Sequence, residues 1–354
     1  MTASFSVFCK PHFIRALLLG ATTPLFGADT ITAWTTQTTA TSNTTLNTTG
    51  ASNNVLDLTT GDNFTLNYAG ELRTLSTFTA GSTNYAVTPV SYSVNLIRNP
   101  GQQTNEVVWN SYSSVTPSLT TAGNQNFIVN LPGIPSTTME SAFSLGSVNT
   151  GTDNLFTNTA DSNGNVNNIE RLDVIYGSAL TSSSDLVFAI FERGTSTTHD
   201  SFKIAAILST DGTGAPTSYG SLFTVSSGTW GTTNLEPANV IVQRNLSMDP
   251  GGEAEFISAY TSQFLGGISI NAVSDLGVAA GTQILGYSLF GGDVTNSHNL
   301  LDPSTFPTNT SNTQGGLDVI GSFQASQAVP EPGSAALGAM GLILLALRRN
   351  RREI

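Results

Sequence analysis

Between Val90 and Leu96 the chain alternates apolar and polar at every step, Val90-Ser91-Tyr92-Ser93-Val94-Asn95-Leu96. Strand side chains point to opposite faces in turn, so Val90, Tyr92, Val94 and Leu96 share one face, as in a strand buried on one side. Asn63-Phe64-Thr65-Leu66-Asn67-Tyr68 repeats the pattern, the segment from Tyr85 to Val90 follows it in part, and Phe127-Ile128-Val129-Asn130-Leu131 follows it less strictly. Turn clusters separate these runs at Thr60-Gly61-Asp62, Ala80-Gly81-Ser82, Asn99-Pro100-Gly101 and Ala122-Gly123-Asn124. Further on, Ile169 to Tyr176 reads as a strand. Asp185-Leu186-Val187-Phe188-Ala189-Ile190-Phe191 and Phe202-Lys203-Ile204-Ala205-Ala206-Ile207-Leu208 are dense apolar runs of strand length, which predicts central strands covered on both faces.

Asp211-Gly212-Thr213-Gly214 is a predicted turn, Gly266 to Val273 and Ile284 to Phe290 are late strands around a loop at Asp275-Leu276-Gly277, and Leu317 to Ile320 adds a closing strand. From Trp34 to Asn54 a Thr/Asn/Ser tract offers few large apolar residues. It predicts a flexible or edge segment, or a ladder of cross-strand threonines. No window before the C-terminal tail carries a sustained helical period. The expected fold is all-β, an antiparallel β-sandwich, either one large or two smaller. Pro132-Gly133-Ile134-Pro135 and the Gly/Asn-rich stretch from Gly146 to Asn168 place a boundary between a β-rich region at 29–145 and a second at 146–323.

The two ends are of a different kind. Lys10 and Arg15 precede the apolar Ala16-Leu17-Leu18-Leu19-Gly20-Ala21, and small residues recur at Gly27-Ala28, the layout of a secretory signal peptide over 1–28 with cleavage after Ala28. At the other end Gln324 to Ala328 reads as a short spacer before Val329-Pro330-Glu331-Pro332-Gly333. Pro330 and Pro332 fix φ and remove two backbone donors, which holds Glu331 on an extended backbone. The run from Gly333 to Leu347 is almost wholly apolar and suits a helix in lipid, though it is shorter than the about 20 residues of a usual span. Arg348, Arg349, Arg351 and Arg352 follow, and the positive-inside rule keeps them cytoplasmic, with the body of the chain outside.

That order of parts over 329–354, Val329-Pro330-Glu331-Pro332, apolar helix, arginine cluster, resembles the PEP-CTERM sorting signal of exosortase-processed bacterial proteins. The resemblance covers only the tail. It implies that an exosortase-like membrane transpeptidase recognises the Pro-Glu-Pro, removes the tail and passes the protein to the envelope surface, in bacteria that also make exopolysaccharide. A plain C-terminal membrane anchor following two prolines is the alternative.

Composition agrees with export. The only cysteine, Cys9, lies in the leader, so the mature chain has no disulfide, thiol nucleophile or zinc-thiolate site. Without the basic residues of the two ends and without Glu331 and Glu353, 6 basic and 22 acidic residues remain, a body near −16. Such a charge argues against nucleic acid and anionic lipid, which need clustered Lys and Arg.

Candidate chemistry in the body is sparse. Asp153, Asp161, Asn163, Asn165 and Asn167 offer oxygen ligands at near-alternate positions around Gly164, a candidate calcium loop. Gly164 is misplaced for an EF-hand, and an Asn-Gly turn accounts for the same residues. Glu253 and Glu255 would share a strand face with Cα atoms about 7 Å apart, compatible with glycoside hydrolysis. Beside Asp249-Pro250-Gly251-Gly252 they read better as a solvated strand end. His199 and His298 sit in polar surroundings outside any hydrolase motif and read as exposed loop residues. Among Trp34, Trp109, Trp230, Tyr112 and Tyr219, Trp109 reads as core, and Trp230, flanked by Gly228 and Gly231, is the candidate for stacking on a sugar. The expectation is an exported, non-enzymatic surface or matrix protein, structural or adhesive in an exopolysaccharide envelope. The alternative is a carbohydrate-binding or glycan-hydrolysing β-sandwich protein.

Overall fold

The computed structural model describes residues 27–49, 63–99, 105–112, 114–119, 127–128, 139–158, 168–195, 199–230, 235–246, 254–308 and 316–329. Its strands are β1 (Asp29–Thr49), β2 (Asn63–Ala80), β3 (Thr83–Thr88), β4 (Tyr92–Arg98), β5 (Asn105–Tyr112), β6 (Ser114–Leu119), β7 (Phe127–Ile128), β8 (Thr150–Thr152) and β9 (Ile169–Thr181). They continue as β10 (Leu186–Gly194), β11 (Phe202–Thr210), β12 (Pro216–Tyr219), β13 (Phe223–Val225), β14 (Glu236–Leu246), β15 (Ala254–Asn271), β16 (Gln283–Gly291) and β17 (Ala325–Ala328). One short helix, α1 (Met139–Ser144), interrupts them. Met139, Ala142 and Phe143 are buried from it, but six residues are too few to show a helical period in the sequence.

Every strand pairing between described elements is antiparallel, as expected for an all-β chain of this kind. The pairings β1–β2, β2–β3, β3–β17, β17–β10, β10–β15 and β15–β1 return to their start, so six strands close into a barrel. From β15 the same sheet runs on through β14, β5 and β8, while β6 adds to β2. The sheet therefore draws strands from both sides of residue 146. A second sheet, in the order β12-β11-β16-β9-β4 with β13 beside β11, packs against the outer wall of the barrel.

Two cores result, and β10 with β15 is the wall between them. Val187, Ala189 and Phe191 face the barrel lumen with Ile31, Phe78 and Leu265. Leu186, Phe188 and Ile190 face the other way, with Ile268 and Ile270, onto Leu172 and Val174 of β9, Ile204 of β11 and Tyr287 of β16. The run from Leu186 to Phe191 is thus buried on both faces, as its sequence predicts. The alternation in β4 is also reproduced, with Ser93 and Asn95 exposed and Leu96 buried. The outer face of the second sheet is covered by the loop after β16, whose Val294 and Phe306 pack on Ala205 and Phe290.

Consecutive glycines in β15 serve the two cores separately. A Cβ at Gly266 would lie 2.2 Å from His199 Nε2 on the outer face, and one at Gly267 would lie 2.7 Å from the Phe191 ring in the lumen. The Thr-rich tract is strand as far as Thr49. Beyond Thr30 its only partner among the described residues is β2, with Thr35 Oγ1 and Thr77 Oγ1 2.7 Å apart across the pair. Edge strand and threonine ladder thus describe the same segment.

The segment from Gln324 to Ala328, expected as a spacer, is instead structural. β17 pairs with β10 on one side and β3 on the other, and so completes the barrel. Ala325-Ser326-Gln327-Ala328 carries no β-branched or bulky residue, so its strand identity comes from the two ladders offered by its neighbours. Ending the chain after Val329 should leave the thermal midpoint unchanged. Ending it after Gln324 should lower the midpoint by 10 °C or more, on the order of several kcal/mol for an opened barrel, as followed by far-UV circular dichroism on heating.

Candidate functional site

Polar chemistry gathers in three places. The first is a closed cluster at one end of β10. Glu192 is fully buried and accepts the Asp200 N–H at 2.9 Å on both carboxylate oxygens. Burial pushes its carboxyl well above the usual range, and Asp200 and Asp318 nearby push the same way, which favours the protonated acid. The next residue, Arg193, points to the lumen side, pairs with Asp153 and Asp318, and lies 5.5 Å from the centre of the Trp109 ring. Successive strand residues point to opposite faces, so the acid and the base find separate partners.

His199 and Trp230 belong to this cluster, and both correct the sequence reading. His199 is 4% exposed rather than on the surface, its ring lies over Gly266, and it stacks on Trp230 at 5.3 Å. Burial lowers its pKa, which leaves a neutral imidazole without access to a substrate. Trp230 has no exposed surface, and its indole N–H donates to the Asp200 carbonyl at 2.8 Å, so it cannot stack on a sugar. The flanking glycines suggested an open loop, but the ring turns inward onto Phe202 and His199. Trp109 is core, as expected, with its N–H on the Thr152 carbonyl at 2.7 Å. Half-buried His298 accepts the Thr295 N–H at its own loop. The aromatic Trp34 packs on Phe191.

Of the candidate calcium ligands, Asp153 is taken by Arg193, while Asp161, Asn163, Asn165 and Asn167 lie outside the described residues. Among the described residues no group of three His, Cys, Asp or Glu side chains is placed to hold a metal ion. Glu253 is outside the described residues, and Glu255 is placed by its backbone, opposite Arg244 in the β14–β15 pair. Residues 1–26 and 330–354, which hold most of the leader and the tail beyond Val329, including Pro330, Glu331, Pro332, Arg348, Arg349, Arg351 and Arg352, are likewise outside the description. No helix among the described residues is long and apolar enough to cross a membrane.

The second place is a groove of about 660 Å³ between β1–β2, the β3–β4 connection and the end of α1. Gln37, Thr74, Ser76, Ser91, Tyr92 and Gln324 give it hydroxyls and amides, and the Tyr92 phenol is the only titratable group in its lining. That phenol faces the carbonyls of Gly321 at 2.9 Å and Phe143 at 3.1 Å, and burial pushes its pKa up to about 12, so it stays neutral. Among the groove's lining residues no nucleophile is paired with a base, and its polar groups are hydroxyls, amides and a phenol. Sequence reading missed it because its residues come from five separate segments and none is unusual alone.

The third place is a cavity of about 290 Å³ at the mouth of the barrel, where Asp29, Asp185 and Asp275 converge with Tyr85, Ser269 and Asn271. The Asp275 carboxylate accepts the Asn271 N–H at 2.7 Å, yet burial raises its pKa and Asp29 adds to the rise. Tyr85 is raised as well, by burial first and then by all three aspartates. Gly27 and Ala328 line this cavity too, so the segments leading to the two ends of the chain leave the barrel side by side.

The raised pKa of Glu192 sets a pH dependence. A carboxyl whose folded pKa is raised contributes stability below its unfolded pKa of about 4.3, and that contribution is lost as pH rises toward the folded value. Glu192→Gln, which imitates the protonated acid, should keep the wild-type midpoint at pH 5 and exceed it at pH 8, whereas Glu192→Ala should melt lower at both; thermal scans across pH decide this. A comparison of the chain with known protein families, with curated proteins and with solved structures finds no match.

Proposed function

We propose that this chain is an exported bacterial envelope protein whose leader is removed after Ala28 and whose tail is read by an exosortase-like transpeptidase at Val329-Pro330-Glu331-Pro332. The observation that carries this reading is where the last described strand ends, at Ala328. The Val329 N–H donates to the Asn84 carbonyl at 2.8 Å, just past the last strand, and the next residue is a proline with no N–H to continue the ladder. The first residue of the motif is thus still hydrogen-bonded to β3, and the motif's two prolines follow it in the sequence. Removal of the tail from Pro330 on takes away none of the described strands. The short apolar run at 333–347 then anchors the precursor transiently in the inner membrane, with the four arginines Arg348, Arg349, Arg351 and Arg352 on the cytoplasmic side.

In this reading the body is structural or adhesive rather than catalytic. The groove supports carbohydrate binding as the specific form of adhesion, because it presents hydroxyls and amides to a neutral glycan. The calcium loop around Gly164 stays with this proposal as a secondary site.

Two measurements test it. Mass spectrometry of the mature C-terminus should find wild type ending near the motif and the triple variant Pro330→Ala, Glu331→Ala, Pro332→Ala still carrying the sequence to Ile354. The same C-terminus in both would show that the motif is not read. For the groove, Gln37→Ala removes an exposed amide from an edge strand and should weaken binding to neutral exopolysaccharide about tenfold, the equivalent of about one hydrogen bond. Unchanged binding would leave the groove without a role.

A further inference from the structure

Two polar groups in the lining of the groove have a polarity that the fold fixes. The first is the Tyr92 phenol. It has one hydrogen, and the two groups it faces inward, the Gly321 carbonyl at 2.9 Å and the Phe143 carbonyl at 3.1 Å, are both acceptors. That hydrogen is spent on the protein, and the oxygen has only lone pairs left to offer. The second is the Gln324 side chain, whose Oε1 accepts the Val90 N–H at 3.4 Å. A backbone nitrogen can only donate, so this bond also settles which end of the amide is oxygen. The two N–H donors of the other end are bonded to nothing among the described residues. Both bonds join the same two segments, Val90 to Tyr92 and Gly321 to Gln324, so a fixed acceptor and a fixed donor belong to one seam of the lining.

A further observation concerns access to the acceptor. Gly146 lines the groove at φ +61, and a Cβ there would lie 3.3 Å from the Tyr92 oxygen. The positive φ alone asks for glycine, and the same glycine leaves space beside the phenol oxygen. The hydroxyls of Ser76 and Ser91 rotate and serve as donor or acceptor, so they select nothing. Val87, Pro89 and Leu145 supply an apolar part of the same lining.

A ligand that meets the fixed pair brings a donor to Tyr92 and an acceptor to Gln324. One sugar hydroxyl carries both polarities on a single oxygen and meets one group or the other. An acetamide carries its N–H and its C=O on different atoms of one rigid plane and ends in a methyl group that suits the apolar part. Resting on the reading of the groove as a neutral-glycan site, we infer that it selects N-acetylated amino sugars, with the acetamido N–H on the Tyr92 oxygen and the acetamido carbonyl on the Gln324 amide. Tyr92 and Gln324 then determine specificity, because a site built around fixed hydrogen bonds rejects an analogue that leaves them unmade. Gln37, exposed and with its side-chain amide bonded to nothing among the described residues, contributes affinity to either kind of sugar.

Isothermal titration calorimetry on the purified protein, well below its thermal midpoint, compares the trimer of β-1,4-linked N-acetylglucosamine with cellotriose, which has the same backbone and carries hydroxyls in place of the acetamides. Wild type should bind the acetamido trimer about tenfold more tightly, the worth of one to two added hydrogen bonds. Gln324→Glu keeps an oxygen for the Val90 N–H, removes both amide donors and should bring the two affinities together. Tyr92→Phe should do the same, with a lower thermal midpoint because two buried carbonyls lose their donor. Gln37→Ala should weaken both trimers alike. A preference that survives in Gln324→Glu and Tyr92→Phe, or loss of both trimers alike from Gln324→Glu, overturns the assignment. Equal binding of the two trimers, or binding of neutral exopolysaccharide with neither trimer, overturns the selection and leaves the groove a glycan site. No binding of any of the three overturns the glycan reading and the selection with it. Binding of tetra-alanine in preference to both trimers would give the pair to a peptide bond and overturn the sugar assignment.

Discussion

The fold depends on one shared wall. β10 and β15 must satisfy a barrel lumen on one face and a sheet-to-sheet core on the other, so both sets of side chains are apolar. This removes the usual safeguard of strand register. In a strand with one wet face, a slip of one residue sends the core set into water. Here it would exchange one apolar set for another. What fixes the register is the end of the run. A slip would carry Glu192 into the lumen and Arg193 into the sheet-to-sheet core, away from Asp200 and from Asp153 and Asp318. A buried charge stripped of its partner costs about 3–5 kcal/mol, more than burying any one of the apolar side chains contributes, about 1.5–3 kcal/mol. Gly266 and Gly267 act the same way, since any side chain there would strike His199 or Phe191.

A second buried pair holds the other side of the molecule. Arg171 and Asp173, two apart on β9, meet at 2.7 and 3.0 Å on the face opposite Leu172 and Val174. Arg171 also donates to the Leu300 carbonyl at 2.9 Å, and Ser288 donates to Asp173 at 2.5 Å. The loop after β16 is thereby fixed over the second sheet, and the pair is shielded by the loop that it orders. Both charge clusters are internally compensated, and neither opens onto the groove. The carboxylates of these two clusters serve the fold.

The strand pattern was legible where burial was one-sided or two-sided along a continuous run. Val90 to Leu96 and Leu186 to Phe191 announced their environments from hydrophobicity alone. Barrel closure was not legible, because it rests on β17 and on two residue pairs of β1 and β15, and neither has a local signal. Trp230 and His199 misled for a physical reason: polar, glycine-rich neighbours are equally compatible with an open loop and with a loop that folds its one large side chain inward. The groove and the barrel mouth were invisible because each is assembled from distant segments. The acids at 29, 185 and 275 are unremarkable in sequence and meet only through topology.

The placement of charge also bears on what the groove can hold. A body near −16 repels polyanions at long range. At physiological ionic strength that repulsion fades over about 8 Å, so a surface site feels mainly the charges beside it. Among the lining residues of the groove there are none, because its polar groups are hydroxyls, amides and a phenol held neutral. An anionic polysaccharide would meet the repulsion of the whole body and find no cation in the groove to offset it. A neutral glycan is not repelled, and it can exchange hydrogen bonds with water for hydrogen bonds with Gln37, Ser76 and Ser91 at little net cost. Affinity per site would then be modest. Adhesion would come from many copies held on one polymer, where effective concentration does what single contacts cannot.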